Sequence, residues 1–296
     1  MSGNDSNGLA SGEAFADLSS WRKIAVSGRG ALDWLNSLIS ADILDLPAGE
    51  ARRSLLLSPT GRIRAEFTVA AREAEFLLLQ DAVQPASIAD VLSPYVLSAD
   101  VGLQDLTSEI SLFAFPGRSD PPQRRAEVSR PSCLGAGLDL FSPADLQDQL
   151  LRTLRRSFAL ASEEDVERWR VARGFPRFGV DALEDDLPQE SGLDETVAFD
   201  KGCYLGQEAV AKVRNLGHPR RLVLSLASPG PVHRGDVVLA EGGEAGVVTS
   251  AVADGEGSRV LARVRWEARD LPLRTSSGAP LARTARPAQP QPSSPV

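Results

Sequence analysis

Residues 201–208 read Lys-Gly-Cys-Tyr-Leu-Gly-Gln-Glu and bring a cation, a thiol, an aromatic ring, an amide and a carboxylate into one short stretch. The apolar run Ala209-Val210-Ala211 follows at once. Two glycines this close to a helix start predict a strand–turn–helix corner, where the backbone takes positive φ or closely approaches a neighbour. Cys203 at such a corner lies near exposed helix N–H groups and beside Lys201, and both favour a thiolate over a thiol. The chemistry on offer is a reactive sulfur. The same residues also read as a tight turn with a buried structural cysteine and a surface lysine, and residue types alone leave both readings open. Gln207 and Glu208 open the following helix. Glu208 either complements the helix dipole or orients Lys201.

Other constellations are excluded by spacing. Cys133 and Cys203 have no paired spacing, and neither His218 nor His233 has a spacing partner, so no resident metal is expected. A stable iron–sulfur cluster would need more ligands than one cysteine. No Gly-x-Ser-x-Gly elbow supports a serine nucleophile. Gly28 and Gly30 suggest a dinucleotide fingerprint, but Trp34 and its neighbours occupy the place of the third glycine.

The chain has 296 residues, 42% hydrophobic and 24% charged, enough apolar content for about two ordinary domains or three small ones. Its net charge of −8 argues against direct nucleic-acid binding through phosphates, while leaving room for a local basic pocket. Two cysteines suit a reducing compartment. Residues 1–12 show no basic segment followed by an apolar run, and no stretch approaches the ~20 apolar residues of a membrane span. The expectation is a cytoplasmic protein with no membrane partner.

The elements that must position the 201–208 corner follow from periodicity. Residues 21–26 are strand-like, and 31–39 carry Leu32, Leu35, Leu38 and Ile39 at helical spacing. Residues 53–57 and 63–69 flank Ser58-Pro59-Thr60-Gly61, a hairpin with turn chemistry at its centre. Further strands are expected near 75–79, 101–106 and 110–115, with an interrupted helix over 85–97. Helices are expected over 146–158 and 163–173, the second opened by a Ser162/Asp165 capping box. Short strands over 221–227, 236–239, 246–252 and 259–266 between Gly-rich turns predict a small antiparallel barrel or sandwich. The predicted organisation is a disordered 1–14, an N-terminal α+β domain over 15–116, and a loop or linker over 117–132. A second α+β segment follows over 133–217, then a β-barrel over 218–274 and a disordered tail over 275–296.

Residues 198–208 (Ala-Phe-Asp-Lys-Gly-Cys-Tyr-Leu-Gly-Gln-Glu), with Val210-Ala211, Asn215, Gly217, Pro219 and Arg221-Leu222, resemble the signature of the YgfZ proteins. These are folate-binding relatives of the glycine-cleavage aminomethyltransferase, the T-protein. Residues 30–43 resemble the family's first helix and following loop, 58–63 its early hairpin, and 170–179 the segment crossing its folate site. The resemblance implies an α+β, three-domain cloverleaf around a central channel, ending in a small antiparallel β-barrel. It also implies tetrahydrofolate or a one-carbon derivative as cofactor, and a role in assembly or repair of iron–sulfur clusters. The partners would be client enzymes, including tRNA-thiolating ones, or the assembly machinery.

A folate needs cations for its glutamyl carboxylates, hydrogen-bonding partners for its pterin edge, and apolar or aromatic walls. On that basis the expected binding residues are Lys201, Gly202, Tyr204, Gly206, Gln207, Glu208, Arg170, Asp42 and Arg221. Glu190, Phe175 and Trp34 are further candidates, and Cys203 is the reactive group. Two departures bear on transferase activity. Aminomethyltransferases carry a Glu where this chain has Ala172. They also carry an acid in the hairpin strand, where this chain has Arg64 and Ala65, with Glu66 one position later and so on the opposite strand face. A tetrahydrofolate-dependent aminomethyltransferase or methyltransferase, with Glu66 replacing the missing acid, is therefore the alternative function.

Overall fold

The computed structural model describes residues 5–96, 100–123 and 126–284, and the architecture is that of these residues. The chain opens with helix α1 (Asp5–Ser11) and strands β1 (Ala14–Asp17) and β2 (Arg22–Ser27), then α2 (Ala31–Leu38). β3 (Ala51–Leu57), β4 (Ile63–Ala71), β5 (Phe76–Gln80), α3 (Ile88–Leu92) and β6 (Gly102–Asp105) follow. The first sheet runs in the order β3-β4-β5-β2-β6. Alternation along β4 divides its residues between two cores. Ala65, Phe67 and Val69 pack with Leu35 and Ile39 of the α2 region and with Ile88 and Leu92 of α3. Glu66 and Thr68 face the other way.

That other face meets a second sheet. β7 (Ile110–Phe115), β8 (Glu127–Ser129), β9 (Leu138–Pro143) and β10 (Ala159–Leu160) join β1 in the order β10-β1-β7-β9-β8. Leu77 and Leu79 of the first sheet share one core with Leu112, Phe141 and Trp169. Trp169 lies on α5 (Glu163–Ala172), which follows α4 (Gln147–Leu154). The expected capping box at Ser162 is formed, with Ser162 Oγ accepting from Asp165 N at 3.2 Å and Asp165 accepting from Ser162 N at 2.9 Å.

After α6 (Pro188–Ser191) and α7 (Gln207–Leu216) come β11 (Arg221–Ser228), β12 (Val237–Ala240), β13 (Gly243–Asp254), β14 (Gly257–Arg265), β15 (Leu273–Thr275) and β16 (Pro280–Arg283). They close into a barrel in the order β11-β14-β13-β12-β15-β16. A buried ion pair and a set of buried hydroxyl–carboxylate hydrogen bonds dock it to the body. Arg263 holds Asp186 with bonds of 2.5 and 2.7 Å. Asp181 accepts from Thr249 Oγ1 at 2.5 Å, Ser250 Oγ at 2.7 Å and Arg170 Nη1 at 2.6 Å.

The domain boundaries differ from the expected ones in five places. Residues 5–14, expected to be disordered, hold α1 and the start of β1, because Leu9 is fully buried in the core shared by the two sheets. Burying one leucine contributes about 1.5–3 kcal/mol, enough to anchor a short helix of poor intrinsic propensity; residues 1–4 lie outside the described set. The expected 15–116 domain is split, since β1 and β7 pair with each other and β7 with β9 in the second sheet. The expected linker 117–132 contains β8, paired to β9. The expected 275–296 tail holds the last residue of β15 and all of β16, which pairs with β11 and β15 and completes the barrel, while residues 285–296 lie outside the described set. The 133–217 segment is likewise divided: β9 belongs to the second sheet, but Phe178, Leu193, Tyr204 and Val210 pack against Leu55, Leu57 and Ile63 of the first.

Candidate functional site

Between the two sheets lie two chambers. The first, about 310 Å³, is lined by Trp21, Glu66, Asp81, Glu163, Glu167 and Phe175 among others. The second, about 1030 Å³, is lined by Asp42, Arg52, Arg118, Arg130 and Arg173 among others. Arg53, Thr68 and Cys133 line both, so the chambers adjoin at these side chains. Strand register explains the placement: Arg53 on β3 lies opposite Thr68 on β4, and Leu55 opposite Glu66, so all share the face turned from the α2 core. Arg53 Nε donates to Glu66 Oε1 at 2.6 Å and Nη2 to Pro176 O at 2.8 Å, while its guanidinium sits 5.4 Å from the Phe175 ring centroid. Arg177 Nε donates to Asp81 Oδ2 at 2.6 Å. The one-residue offset that sets Glu66 on the opposite strand face thus turns it into the first chamber. Ala172 is exposed at the end of α5, and Glu167 on the same helix reaches the first chamber instead.

The 201–208 corner lines neither chamber. It is a clamp. Lys201 Nζ donates to Asn36 O at 2.7 Å, Asn36 Oδ1 at 3.1 Å, Ile39 O at 3.0 Å and Ala41 O at 2.6 Å. Three are main-chain carbonyls in and just after the last turn of α2, where the negative end of the helix dipole favours a cation, and the fourth, Asn36 Oδ1, also accepts from Ile43 N at 3.0 Å. The ammonium also lies 5.2 Å from the Tyr204 ring centroid. Burial lowers the Lys201 pKa to about 8, with Asp42 pulling the other way and Arg52 adding to the fall. Three donors already face four acceptors, so Lys201 is not free to hold a ligand carboxylate. What it holds is the segment leading into Asp42, which does line the second chamber. Asp42 Oδ1 itself accepts from Leu44 N at 3.1 Å.

The glycines of the corner have a steric role. Gly206 sits at φ +82°, and a Cβ there would lie 2.4 Å from Ser58 O. A Cβ on Gly61 would meet Ala209 Cβ at 2.9 Å, so the start of α7 and the β3–β4 turn approach backbone to backbone. Tyr204 is buried in the core between them, its hydroxyl without a hydrogen-bond partner among the described residues, and burial pushes its pKa up to about 12. Gly202, Cys203 and Glu208 are exposed, and Gln207 is half-buried. Burial is therefore the reverse of the turn reading: the lysine is enclosed and the cysteine is outside.

Arg170 does border the first chamber, but all five of its N–H groups are occupied. Nε donates to Glu167 at 2.7 Å, Nη1 to Phe175 O at 3.1 Å and Asp181 at 2.6 Å, and Nη2 to Glu167 at 2.5 Å and Ser250 Oγ at 2.7 Å. It positions the chamber wall and the barrel together. Arg221 is exposed at the start of β11, opposite Arg265, away from both chambers. Glu190 Oε2 accepts from Leu187 N at 3.0 Å and Arg62 Nη1 at 3.3 Å, and Trp34 Nε1 donates to Tyr95 O at 2.9 Å. Of the expected binding residues, only Asp42, Arg170 and Phe175 line a chamber.

Residues 5–120 match the GCVT N-terminal domain family. The structure superimposes on a glycine cleavage system aminomethyltransferase T from Bartonella henselae with a TM-score of 0.82 at 20% identity, covering 95% of this chain and 88% of that one. This is the aminomethyltransferase fold. In sequence the chain is similar to an aminomethyltransferase of Geobacillus kaustophilus, 27% identical over 270 residues and covering 79% of this chain and 73% of the relative. It is also similar to the tRNA-modifying protein YgfZ of Colwellia psychrerythraea, 24% identical over 281 residues, 87% of this chain and 86% of the relative. Against a chloroplastic relative from Arabidopsis thaliana, 24% identical over 274 residues, the chain spans 63% of that protein's length.

Sequence reasoning reached Glu66 only as the acid of the alternative function and Cys133 only as an unpaired cysteine, and passed over Asp81, Glu163, Glu167, Arg53 and the arginines of the second chamber. The strand alternation of β3 and β4 was the available signal for Arg53 and Glu66. Cys133, immediately after the segment that reads as a linker, gives no signal. It borders both chambers, and its N–H donates to Asp139 Oδ2 at 2.8 Å while Ser132 Oγ donates to Oδ1 at 2.5 Å. Burial pushes the Cys133 thiol well above its ordinary range, with the Asp139 charge adding to the rise. Burial likewise raises Asp139 to about 6 against the bonds from Ser132 and Cys133. Cys133 is thus held as a thiol, while Cys203 alone is the exposed cysteine.

Proposed function

We propose that this chain binds a reduced folate across the two chambers and supports assembly or repair of iron–sulfur clusters in client enzymes, tRNA-thiolating ones among them. The observation that carries the folate reading is the pair of adjoining chambers with unlike linings. A pterin presents N–H and amino groups to carboxylates and flat faces to aromatic walls, and the first chamber offers Glu66, Asp81, Glu163, Trp21 and Phe175. The anionic end of the molecule calls for guanidiniums, and the second chamber offers five arginines, Arg53 among them. When bound, a reduced folate supplies a carrier for one-carbon units. The protein's own residues would enclose it and set its direction through the cavity.

Titration of the purified chain with tetrahydrofolate by calorimetry or intrinsic fluorescence tests the ligand. Saturable binding at physiological folate levels, weakened by Glu66→Gln, is expected; its absence would sink the reading. For the iron–sulfur role the support is the likeness to a YgfZ protein and the exposed Cys203, placed where a partner protein can reach it. Cells carrying Cys203→Ser should show lower activity of iron–sulfur enzymes under oxidative stress, and unchanged activity would reduce Cys203 to an ordinary surface residue.

The second reading, a tetrahydrofolate-dependent aminomethyltransferase or methyltransferase, is favoured by Glu66 facing the first chamber. Against it stands the 2.6 Å pair with Arg53, which engages that carboxylate. Formation of methylenetetrahydrofolate from an aminomethyl donor would decide for this reading. Among the described residues no helix is long and apolar enough to cross a membrane.

A further inference from the structure

One wall of the first chamber is held from behind by the barrel. Along β13 and β14, Val248 lies opposite Ala262 and Ser250 opposite Leu261, so Thr249 is the extra residue of a β-bulge. Neighbours on a regular strand point to opposite faces, and a bulge re-aims one of them. Here both hydroxyls, Thr249 Oγ1 at 2.5 Å and Ser250 Oγ at 2.7 Å, donate to the same atom, Asp181 Oδ1. Asp181 is fully buried, as nearly are Thr249 and Ser250. Val171 of α5 packs with Val223 and Leu261 across the same seam between body and barrel.

The other oxygen of Asp181 serves the chamber wall. Oδ2 accepts from Arg170 Nη1 at 2.6 Å and from Arg177 N at 3.0 Å. Arg170 in turn donates to Phe175 O at 3.1 Å and to the two oxygens of Glu167 at 2.5 and 2.7 Å. Glu167, Phe175, Pro176 and Arg177 all line the first chamber. The same 175–178 segment is held from the front by the first sheet. Arg53 Nη2 donates to Pro176 O at 2.8 Å, and Phe178 N donates to Glu66 Oε2 at 3.4 Å. A connected set of hydrogen bonds therefore runs from two barrel hydroxyls, through Asp181 and residues 175–178, to the carboxylate facing the chamber. A buried carboxylate oxygen stripped of its donors is costly, so without the hydroxyls Asp181 must turn toward Arg170 and Arg177 N. Residues 175–178 would move with it, and a binding site is only as well placed as the groups that support it.

We propose that Thr249 and Ser250 are positioning residues of the first chamber, and that barrel docking and chamber occupancy are thermodynamically coupled through Asp181. The ligand is held tightly only while the β13 bulge is seated on Asp181, and a bound ligand tightens that seat in return. The coupling deepens the folate reading and rests on it for the ligand. Its other half, the link from barrel hydroxyls to residues 175–178, is readable with no ligand present.

The test compares the full-length wild type, Thr249→Val/Ser250→Ala and Leu281→Ala by calorimetric titration with tetrahydrofolate; Leu281 lies in the barrel core outside this network. The double variant should bind about tenfold more weakly, the loss expected for two hydrogen bonds. Leu281→Ala should stay within about twofold of the wild type, as a site without shared partners. Thr249→Ser keeps both hydroxyls and should bind like the wild type. Hydrogen exchange by mass spectrometry reads the reciprocal effect: saturating tetrahydrofolate should slow exchange at residues 248–251 of the wild type. Without ligand, residues 175–179 should exchange faster in the double variant than in Leu281→Ala. Unchanged affinity in the double variant, an equal loss in Leu281→Ala, or exchange at 175–179 that ignores the hydroxyls overturns the proposal. If the double variant does not fold, Ser250→Ala, which leaves Thr249 on Asp181, takes its place with an expected loss of about threefold. If the wild type binds no tetrahydrofolate, the folate reading falls, and exchange at 175–179 alone decides the link: faster only without the hydroxyls upholds it, equal exchange removes it.

Discussion

Replacing Lys201 by Met keeps the length and most of the volume of the side chain and removes only the ammonium. Three main-chain carbonyls, those of Asn36, Ile39 and Ala41, then lose a charged donor in a half-buried site. A buried acceptor left without a partner costs about 1–3 kcal/mol. Water reaches part of this site, and removing the lysine relieves its own desolvation, so a net loss of roughly 2–4 kcal/mol is expected. For a chain of this size that corresponds to a fall in melting temperature of about 3–6 °C. The loss should also be local. Amide exchange should quicken at residues 39–42, and tetrahydrofolate affinity should drop because the segment leading into Asp42 is released. The pH dependence carries a sign of its own. Since the folded pKa is about 8 and the ordinary value 10.5, the unfolded chain binds more protons between these limits, and the wild-type protein gains stability from this group as pH rises through that window. Lys201→Met should remove that gain. Thermal unfolding at pH 7 and pH 9.5, with hydrogen exchange by mass spectrometry, reads each effect. If the variant melts and exchanges like the wild type, Lys201 is not a clamp and the corner must act elsewhere.

Arg170→Met should destabilise by about 3–5 kcal/mol, because Asp181 would be left buried without its cation; limited proteolysis between the body and the barrel should report it, and Arg170→Lys should rescue little. Gly206→Ala should cost at least about 1 kcal/mol, since the residue is left-handed and its new Cβ would meet Ser58 O at 2.4 Å, and chemical denaturation would show it. Asp139→Asn should flatten the stability profile between pH 4 and 6. The folded pKa of about 6 lies above the ordinary 3.8, so the native state binds more protons across that window and wild-type stability from this group rises on acidification. Denaturation midpoints at pH 4 and pH 7 for both proteins would check this.

Much of the architecture was legible in the residues. The β3–β4 hairpin, the Ser162 capping box and the C-terminal barrel are local patterns, in which spacing and turn chemistry are read directly from neighbours in the chain. The 201–208 corner was also recognisable as a turn into a helix. Its partners were not. Lys201 reaches Asn36, and Gly206 reaches Ser58, across long stretches of intervening chain. Nothing in a local pattern records which distant carbonyls a lysine will find.

The same limit explains the site. The sequence by itself determined the element types, the strain-tolerant glycines and the identity of the reactive groups on offer. Only the tertiary structure decided which of them face one cavity. Pairing β1 with β7 and β7 with β9 moves two strands out of the expected first domain and turns an apparent linker into a cavity wall bearing Arg118 and Arg130. A strand's side chains alternate with a period of two, so Glu66 had only two possible directions, and the choice between them was made by α2 and α3 covering one face. The motif that dominates the chain chemically proves to be the clamp behind the cavity wall. The cavity is lined by residues whose significance appears only once the sheets are packed.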